Sequence, residues 1–302
     1  MTSRRLNKRL TPLAVAAMLA LGSSALQAAP QTSIGPGSFW DIATNWSGGL
    51  PGAAADALLG AFNTEVRTSF TINSFTGTGT GTMTVSAGTL SFASASTTGG
   101  LNLTGSGSSG GTGSVTVANG GTWAAGQMNG TGSTTINGPL AMTGNGNRAV
   151  VSRTVIFNGT TTWSNLSAGS GIIQTGSGAT LANAGTWLDQ NAFGNSISND
   201  FGGAASTFVN TGTYRKTGVA TTGISIGFNN TGGTVQVEAG SLNLATLSNF
   251  AITTLTGGTY NVFGPSTLQF AGANVVTNAA TIRGAGVEQR GHHQRRARLQ
   301  PG

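Results

Sequence analysis

Cysteine is absent from this 302-residue sequence, and charged residues make up only 7% of it, against about 25% in an ordinary soluble domain. The lack of cysteine excludes disulfides and fits an exported protein that does not rely on them. The only histidines, His292 and His293, lie near the C-terminus. A body without histidine excludes Ser-His-Asp catalysis and most transition-metal sites. We interpret the histidine pair as incidental, with a metal pair as the alternative.

Basic charge is also missing from most of the chain. The formal charge of +7 comes from the two ends, where residues 4–9 and 283–298 each contribute a net +4. Between them, five basic residues face six acidic ones. Nucleic-acid binding needs clustered Lys and Arg that neutralise phosphates, so no nucleic-acid partner is expected.

The helical period of 3.6 residues does not appear after the N-terminus, whereas short apolar-polar-apolar triplets recur. This alternation places both apolar members on one face of a short strand. The 50 glycines, with Thr, Ser and Asn, separate the triplets and suit tight corners. A disordered chain is the alternative, but a high net charge is typical of disordered chains, and the body of this chain lacks one. Examples are Met83–Val85, Leu90–Phe92, Leu101–Leu103, Val115–Val117, Val235–Val237, Leu242–Leu244, Tyr260–Val262 and Leu268–Phe270.

A second motif is Gly-Thr followed by a large residue, as in Gly121–Trp123 and Gly185–Trp187, with Thr161–Trp163 as a variant. From Trp163 onward the large residue recurs at positions 187, 214, 235 and 260, so the intervals lie in the twenties. Such intervals indicate a solenoid rather than a propeller, whose blades need about 40 residues. The sequence therefore predicts an all-β fold, a right-handed parallel β-helix with coils of about 20–25 residues. We expect ten or eleven coils and a rod roughly 50 Å long at about 4.8 Å per coil.

The N-terminus is typical of a secretory signal peptide over residues 1–28. A basic stretch precedes the apolar run Leu13–Leu21, which is too short to span a bilayer but suits a signal. We expect general secretion and cleavage after Ala28. An uncleaved anchor and twin-arginine export, suggested by Arg4-Arg5, are the alternatives. No later segment is apolar enough to be a membrane helix, so no membrane span is expected in the mature chain.

Composition divides the remaining chain into three parts. Residues 29–62 hold Trp40, Trp46 and several prolines and are predicted to form an N-terminal cap and the first coils, which would protect the end of the solenoid. Residues 63–282 are predicted to be the β-helix repeat domain. Residues 283–302 change abruptly to a basic composition, which we interpret as an aberrant, disordered tail arising from truncation or a frame shift near residue 283.

The stretches Asn45–Gly49, Phe208–Tyr214, Phe228–Leu244 and Leu255–Val262 resemble repeats of bacterial surface-exposed β-helix passengers, of the autotransporter and filamentous-haemagglutinin-like kinds. The resemblance covers about residues 30–282 and implies architecture more than function. It implies a protein exported through the periplasm to the outer-membrane surface or the extracellular space. The translocator domain or sorting tail that such proteins carry is expected to be missing from this chain.

Catalysis on such a scaffold usually needs paired carboxylates or acidic calcium ligands near a base. Asp189, Asp200, Arg215 and Lys216 form the only charge-rich zone of the body, and we interpret them as solvated turn residues. Thr-x-Thr pairs such as Thr82 and Thr84 suggest an ice-binding face but lack a fixed spacing. Most of the five tryptophans are predicted to be core or cap packing, with sugar stacking as the alternative.

The sequence therefore predicts a structural or adhesive protein, with no enzyme activity and with no catalytic, cofactor-binding or metal-binding residue. A host or matrix surface, or a polysaccharide, is the expected partner. The first alternative is a carbohydrate-active β-helix lyase or hydrolase centred on Asp189, Asp200 and Arg215. The second is a non-functional fragment of a larger autotransporter.

Overall fold

The computed structural model describes residues 29–34, 39–251, 254–270, 281–283 and 287–290. The predicted signal peptide and residues 291–302 lie outside the described residues. Within them the only helical element is one 3₁₀ turn, Ala43–Asn45, and the rest is strand and turn. The prediction of an all-β parallel solenoid is confirmed, and the solenoid has about ten turns.

The strands are short and follow one another with few intervening residues. They are β1 Gln31–Thr32, β2 Asp56–Gly60, β3 Thr64–Val66, β4 Phe70–Ile72, β5 Ser74–Gly77, β6 Thr82–Val85, β7 Thr89–Phe92, β8 Ser96–Thr98, β9 Gly100–Leu103, β10 Ser108–Gly111, β11 Val115–Val117, β12 Gly121–Trp123, β13 Gly126–Asn129, β14 Ser133–Ile136, β15 Leu140–Met142, β16 Arg148–Val151 and β17 Thr154–Phe157. The chain continues with β18 Thr160–Trp163, β19 Ile173–Gly176, β20 Thr180–Asn183, β21 Thr186–Asp189, β22 Asn195–Ser198, β23 Thr207–Asn210, β24 Thr213–Lys216, β25 Thr221–Asn229, β26 Thr234–Val237, β27 Ser241–Leu247, β28 Phe250–Ala251, β29 Thr254–Leu255, β30 Thr259–Val262, β31 Thr267–Phe270, β32 Thr281–Arg283 and β33 Val287–Arg290.

Three parallel ladders run along the solenoid, and each full coil contributes one strand to each ladder. Ladder 1 contains β4, β7, β10, β13, β16, β19, β22, β25, β27, β31 and β33; ladder 2 contains β1, β2, β5, β8, β11, β14, β17, β20, β23, β25 and β27; ladder 3 contains β3, β6, β9, β12, β15, β18, β21, β24, β26, β30 and β32. Strands β25 and β27 are long enough to belong to ladders 1 and 2 at once. One antiparallel pair, β28 with β29, interrupts the pattern.

Coil length varies more than the sequence predicted. In ladder 3, Thr82 pairs with Gly100, whereas Thr186 pairs with Thr213. The coil that starts at Thr186 is therefore half as long again as the coil that starts at Thr82. The strands themselves keep three or four residues in this ladder. The corners between strands therefore absorb the extra residues.

The Gly-Thr motif marks two registers and not one. Trp187 is in register with Tyr214, Val235 and Tyr260, as the spacing of these motifs predicted. Trp163, in contrast, pairs with Asp189, while Thr161 pairs with Trp187. The prediction that the interval between Trp163 and Trp187 equals one coil length was therefore wrong. The two rings occupy different inward positions of their strands.

All five tryptophans are buried, so the prediction of core or cap packing is confirmed. Near the N-terminus, the ring of Trp40 lies 4.6 Å from that of Trp46 and 5.8 Å from that of Phe75, between centroids. The indole Nε1 of Trp46 donates to the carbonyl oxygen of Trp40 at 2.9 Å. These contacts fasten the N-terminal segment onto the first coils.

Among the described residues, strands lie on both sides of the predicted boundary near residue 283. Strand β32 pairs with β30, and β33 pairs with β31, both in parallel. The described backbone thus extends ladder 3 by one residue, Arg283, and ladder 1 by the four residues of β33 into the segment predicted as a tail. Disorder beyond it stays a prediction.

Candidate functional site

Two of the four charged residues singled out in the sequence lie inside the solenoid. The side chains of Asp189 and Lys216 have 0% exposed area, and Lys216 Nζ lies 3.5 Å from Asp189 Oδ2. The interpretation of these two residues as solvated turn residues was therefore wrong. They belong to strands β21 and β24, where alternation with the inward Trp187 and Tyr214 directs them to the core.

Asp189 and Lys216 occupy a column that is otherwise apolar. They are direct neighbours in ladder 3, where Trp163 precedes them and Val237 follows. The remaining inward residues of the column, in coil order, are Val66, Val85, Leu103, Trp123, Met142 and, after Val237, Val262. A charged pair in this column costs desolvation energy that the other described coils of the column do not incur.

A hydrogen-bond network surrounds the buried pair. Asp189 Oδ1 accepts from the backbone N–H of Asn191 at 3.2 Å and from its Nδ2 at 2.8 Å. Asp189 Oδ2 accepts from the Tyr214 hydroxyl at 3.0 Å, and Lys216 Nζ donates to Thr222 Oγ1 at 3.1 Å. Burial, reinforced by the Asp189 carboxylate, raises the pKa of Tyr214 well above its ordinary value. Burial lowers the pKa of Lys216, although Asp189 opposes this shift.

Asp200 and Arg215 face the solvent and have other partners. Asp200 accepts a hydrogen bond from Gln174 Nε2 at 3.0 Å. Arg215 forms a two-bond ion pair with Glu238, at 2.7 and 2.9 Å. Because Asp189 has no exposed area, these residues do not form the surface centre on which the enzyme alternative depended. The interpretation as a solvated turn residue is confirmed for Asp200, whereas Arg215 is exposed but lies in strand β24 and not in a turn.

Two arginines, Arg148 and Arg153, are buried without an acidic partner among the described residues. Arg148 donates to the carbonyl oxygens of Trp123, Thr143 and Gly171. Burial lowers the pKa of each guanidinium to about 10. Both side chains tie neighbouring coils together through backbone oxygens, a role that sequence reasoning missed. Arg153 donates to Thr134 Oγ1 and to the carbonyl oxygens of four further residues: Gly111, Gly113, Asn129 and Ser133.

The outer side of ladder 2 carries a regular array of hydroxyl groups. Thr76, Thr97, Thr116 and Thr135 stand in register on successive coils, about 4.8 Å apart as parallel strands require. Two residues before each threonine lies a small residue on the same side of the chain, which is serine on three coils and alanine on the fourth. We call this surface the hydroxyl face; its members are Ser74, Thr76, Ala95, Thr97, Ser114, Thr116, Ser133 and Thr135.

The hydroxyl face consists of uncharged residues and is open to solvent. Thr76 and Thr97 are exposed, and Thr116 and Thr135 are half-buried. Within the described part of the chain, the hydroxyls of these four threonines have no hydrogen-bond partner. The same outward columns continue over three further coils with uncharged residues: Thr154, Ile156, Thr180, Ala182, Thr207 and Val209.

A single carboxylate borders the first coil of the face. Asp56 is the neighbour of Ser74 on the preceding coil, and its Oδ1 accepts a hydrogen bond of 2.6 Å from the Ser74 hydroxyl. The charge therefore lies at the N-terminal edge of the face, and the three later coils present hydroxyl and methyl groups alone.

The sequence contains a partial signal for this face. Ser-x-Thr occurs at residues 74–76, 114–116 and 133–135, and Ala-x-Thr takes its place at residues 95–97. The copies are unequally spaced and one lacks the serine, so the array does not appear in the sequence as a regular repeated motif. The alignment becomes visible only once the register of ladder 2 is known. The pairs considered in the sequence, such as Thr82 and Thr84, lie on ladder 3 instead.

Among the described residues, no group of three or more Asp, Glu, His or Cys side chains is placed to hold a metal ion. No helix in the same residues is long and apolar enough to cross a membrane. No family model, curated protein or solved structure matches this chain. The class that the structure establishes is a parallel β-solenoid repeat protein.

Proposed function

We propose that this chain is an exported, surface-displayed β-solenoid of the autotransporter or filamentous-haemagglutinin-like kind, with a structural and adhesive role. The observation that supports the adhesive role is the in-register hydroxyl face. A rigid parallel ladder holds its hydroxyls at fixed positions before any ligand arrives, so binding costs little side-chain ordering. Repetition over successive coils allows many weak contacts to act together.

A neutral polysaccharide is the partner that suits this face. Serine and threonine hydroxyls both donate and accept hydrogen bonds, as sugar hydroxyls do. The face has no basic residue that would attract phosphates or acidic sugars, whose binding would depend on Lys and Arg. Binding through uncharged groups is expected to be nearly independent of salt.

The proposal is tested by co-sedimentation of the protein with microcrystalline cellulose and with chitin. We expect the wild type to bind at least one of them and the double variant Thr97→Lys/Thr116→Lys to bind at least tenfold less. The two long, charged side chains would hold a flat ligand away from the face. Thr186→Lys/Thr213→Lys is the matched control, because these threonines are also in-register neighbours, on ladder 3.

Equal binding by both double variants would show that the hydroxyl face is not the adhesive surface. Absence of binding by the wild type to either polymer would contradict the choice of partner. Export is tested separately: N-terminal sequencing of protein recovered outside the cytoplasm should start at Ala29. A mature protein that begins at Met1 would contradict the proposed signal peptide.

A further inference from the structure

Lys216 is the only lysine in residues 29–302. Lysine is among the residues that are almost never fully buried, yet here it is enclosed in the core beside a carboxyl group. Ladder 3 places Asp189 and Lys216 directly opposite each other on consecutive coils, with both side chains inward. An amine and a carboxyl group are thereby held in contact, away from bulk water.

The two oxygens of Asp189 have different surroundings. Oδ1 receives two N–H groups, both from Asn191. Oδ2 faces the Tyr214 hydroxyl and the Lys216 amine. Donors that converge on one carboxyl oxygen stabilise negative charge that develops there during nucleophilic attack. A hydroxyl on the other oxygen is placed to protonate a leaving group.

Aromatic rings fix Tyr214 in this position. Its ring stacks on Trp187 with centroids 6.4 Å apart and meets the edges of Phe208 and Phe228 at 5.8 and 6.0 Å. The phenol therefore has little freedom to turn away from Asp189. The same rings make the surroundings of the pair apolar, which disfavours charged groups relative to neutral ones.

We propose that the folded chain joins Lys216 to Asp189 through an amide bond between Nζ and Cγ. The cross-link would connect two consecutive coils inside the solenoid. In a chain without cysteine, it would fill the role that a disulfide has in other exported proteins.

The reaction needs no reagent beyond the side chains at the site. A proton passes from the Lys216 ammonium to Asp189 Oδ2, leaving a neutral amine and a neutral carboxylic acid. The Nζ lone pair then attacks Cγ, and the negative charge that forms on Oδ1 is held by the two N–H groups of Asn191. When the C=O bond re-forms, the C–Oδ2 bond breaks; Tyr214 donates a proton to Oδ2 and recovers one from Nζ. The products are one amide and one water molecule.

Two features of the site favour this path. Burial lowers the pKa of Lys216, which increases the share of the nucleophilic neutral amine. Contact within one folded structure replaces an encounter between two molecules, an advantage equivalent to a very high local concentration of the reactants. The released water also leaves an apolar interior, which opposes the reverse hydrolysis.

The test uses the purified full chain, denatured in guanidinium chloride and digested with trypsin. Because trypsin cleaves after Lys and Arg, an unlinked chain yields peptides 154–215 and 217–283. A linked chain yields instead peptide 154–215 joined to 216–283, with a mass one water below the sum of the two. Fragmentation should place the link at Asp189 and Lys216. Cleavage after Lys216 in the wild type, with no joined peptide, would overturn the proposal.

Two variants separate the amide from a simple ion pair. Lys216→Arg keeps the positive charge, but a guanidinium is not nucleophilic, so the joined peptide should disappear. Tyr214→Phe keeps the stacked ring but removes the proton donor, and we expect the linked fraction to fall at least tenfold. An unchanged linked fraction in Tyr214→Phe would contradict the role of the hydroxyl. Acetylation of the denatured wild type with an N-hydroxysuccinimide ester should leave Lys216 unmodified, and acetylated Lys216 would count against the link.

Discussion

Asn183 Nδ2 donates a hydrogen bond of 2.7 Å to Oδ1 of Asn210, which lies directly opposite it on the next coil. Asn210 Nδ2 in turn donates to Oδ1 of Asn230 at 2.7 Å. The three side chains form a buried ladder of amides at the corner before ladder 3. In the three preceding coils the corresponding column is apolar, with Val117, Ile136 and Phe157.

We predict that Asn210→Ala lowers the free energy of unfolding by about 2 kcal/mol, since it removes the acceptor of one neighbour and the donor of the other inside the core. The urea midpoint, followed by tryptophan fluorescence, measures the change. Asn137→Ala is the control: Oδ1 of Asn137 also accepts a hydrogen bond from Nδ2 of an asparagine, Asn158, but on the exposed surface, so its effect should stay within about 0.5 kcal/mol. Equal losses of unfolding free energy in both variants would mean that the buried amide ladder stabilises the fold no more than the exposed hydrogen bond does.

Arg153→Met should destabilise the solenoid by more than about 3 kcal/mol, because carbonyl oxygens on several coils lose a buried donor at once. Urea unfolding is again the measurement. Arg215→Met removes an arginine whose side chain is 45% exposed and whose ion pair with Glu238 lies on the surface; it should cost about 1 kcal/mol or less. A smaller effect for Arg153 than for Arg215 would contradict the bridging role.

The two tyrosines of the chain, Tyr214 and Tyr260, should titrate abnormally in the folded state. Burial raises the pKa of both above 10.0. Tyrosinate absorbance of the folded protein should therefore appear only above the pH at which the guanidinium-denatured protein titrates. A normal titration of the folded protein would disprove their burial.

The same shifts set the direction of a stability change. A tyrosine whose folded pKa is raised contributes stability that is fully present below the unfolded pKa of about 10 and is lost as pH rises through the folded pKa. Tyr260→Phe, which leaves the proposed Lys216–Asp189 link untouched, should lessen this alkaline loss. Thermal melting of both proteins on either side of pH 10 measures the difference, and identical alkaline losses would contradict it.

Gly120 and Gly144 offer a matched pair, since their φ values of 86° and 92° are nearly equal. A Cβ atom on Gly120 would lie 1.9 Å from the carbonyl oxygen of Pro139, whereas one on Gly144 would meet nothing within 4 Å. Gly144→Ala should cost about 1–2 kcal/mol from backbone strain alone. Gly120→Ala should cost clearly more in urea unfolding, because the next coil must move. Equal costs would show that the coils are less closely stacked at this corner.

The fold was accessible from the sequence because short alternating triplets and glycine-rich corners are local signals. The inward position of Lys216 was accessible in principle, because it alternates with Tyr214 on one strand. The charge of Lys216 predicts a position in solvent instead, and that prediction was wrong because alternation outweighs charge in this strand. The buried roles of Arg148 and Arg153 depend on carbonyl oxygens from other coils, for which a single sequence has no signal.

Strand register was the second feature that the sequence did not predict correctly. The motifs aligned Trp163 with Trp187, but the backbone aligns Thr161 with Trp187. The corner over residues 164–172 is long enough to absorb this shift. The hydroxyl face was missed for a related reason, because only the pairing of neighbouring coils brings its four threonines into line.

The variable corners have a consequence for how such a protein can change. Every coil adds the same height, about 4.8 Å, because height depends on the spacing of paired strands. The long coil from Thr186 to Thr213 therefore lengthens the rod no more than the short coil from Thr82 to Gly100. Insertions at a corner widen the molecule without altering the length of the rod, so the corners are natural points for grafting foreign peptides. The length of the rod changes only when whole coils are gained or lost.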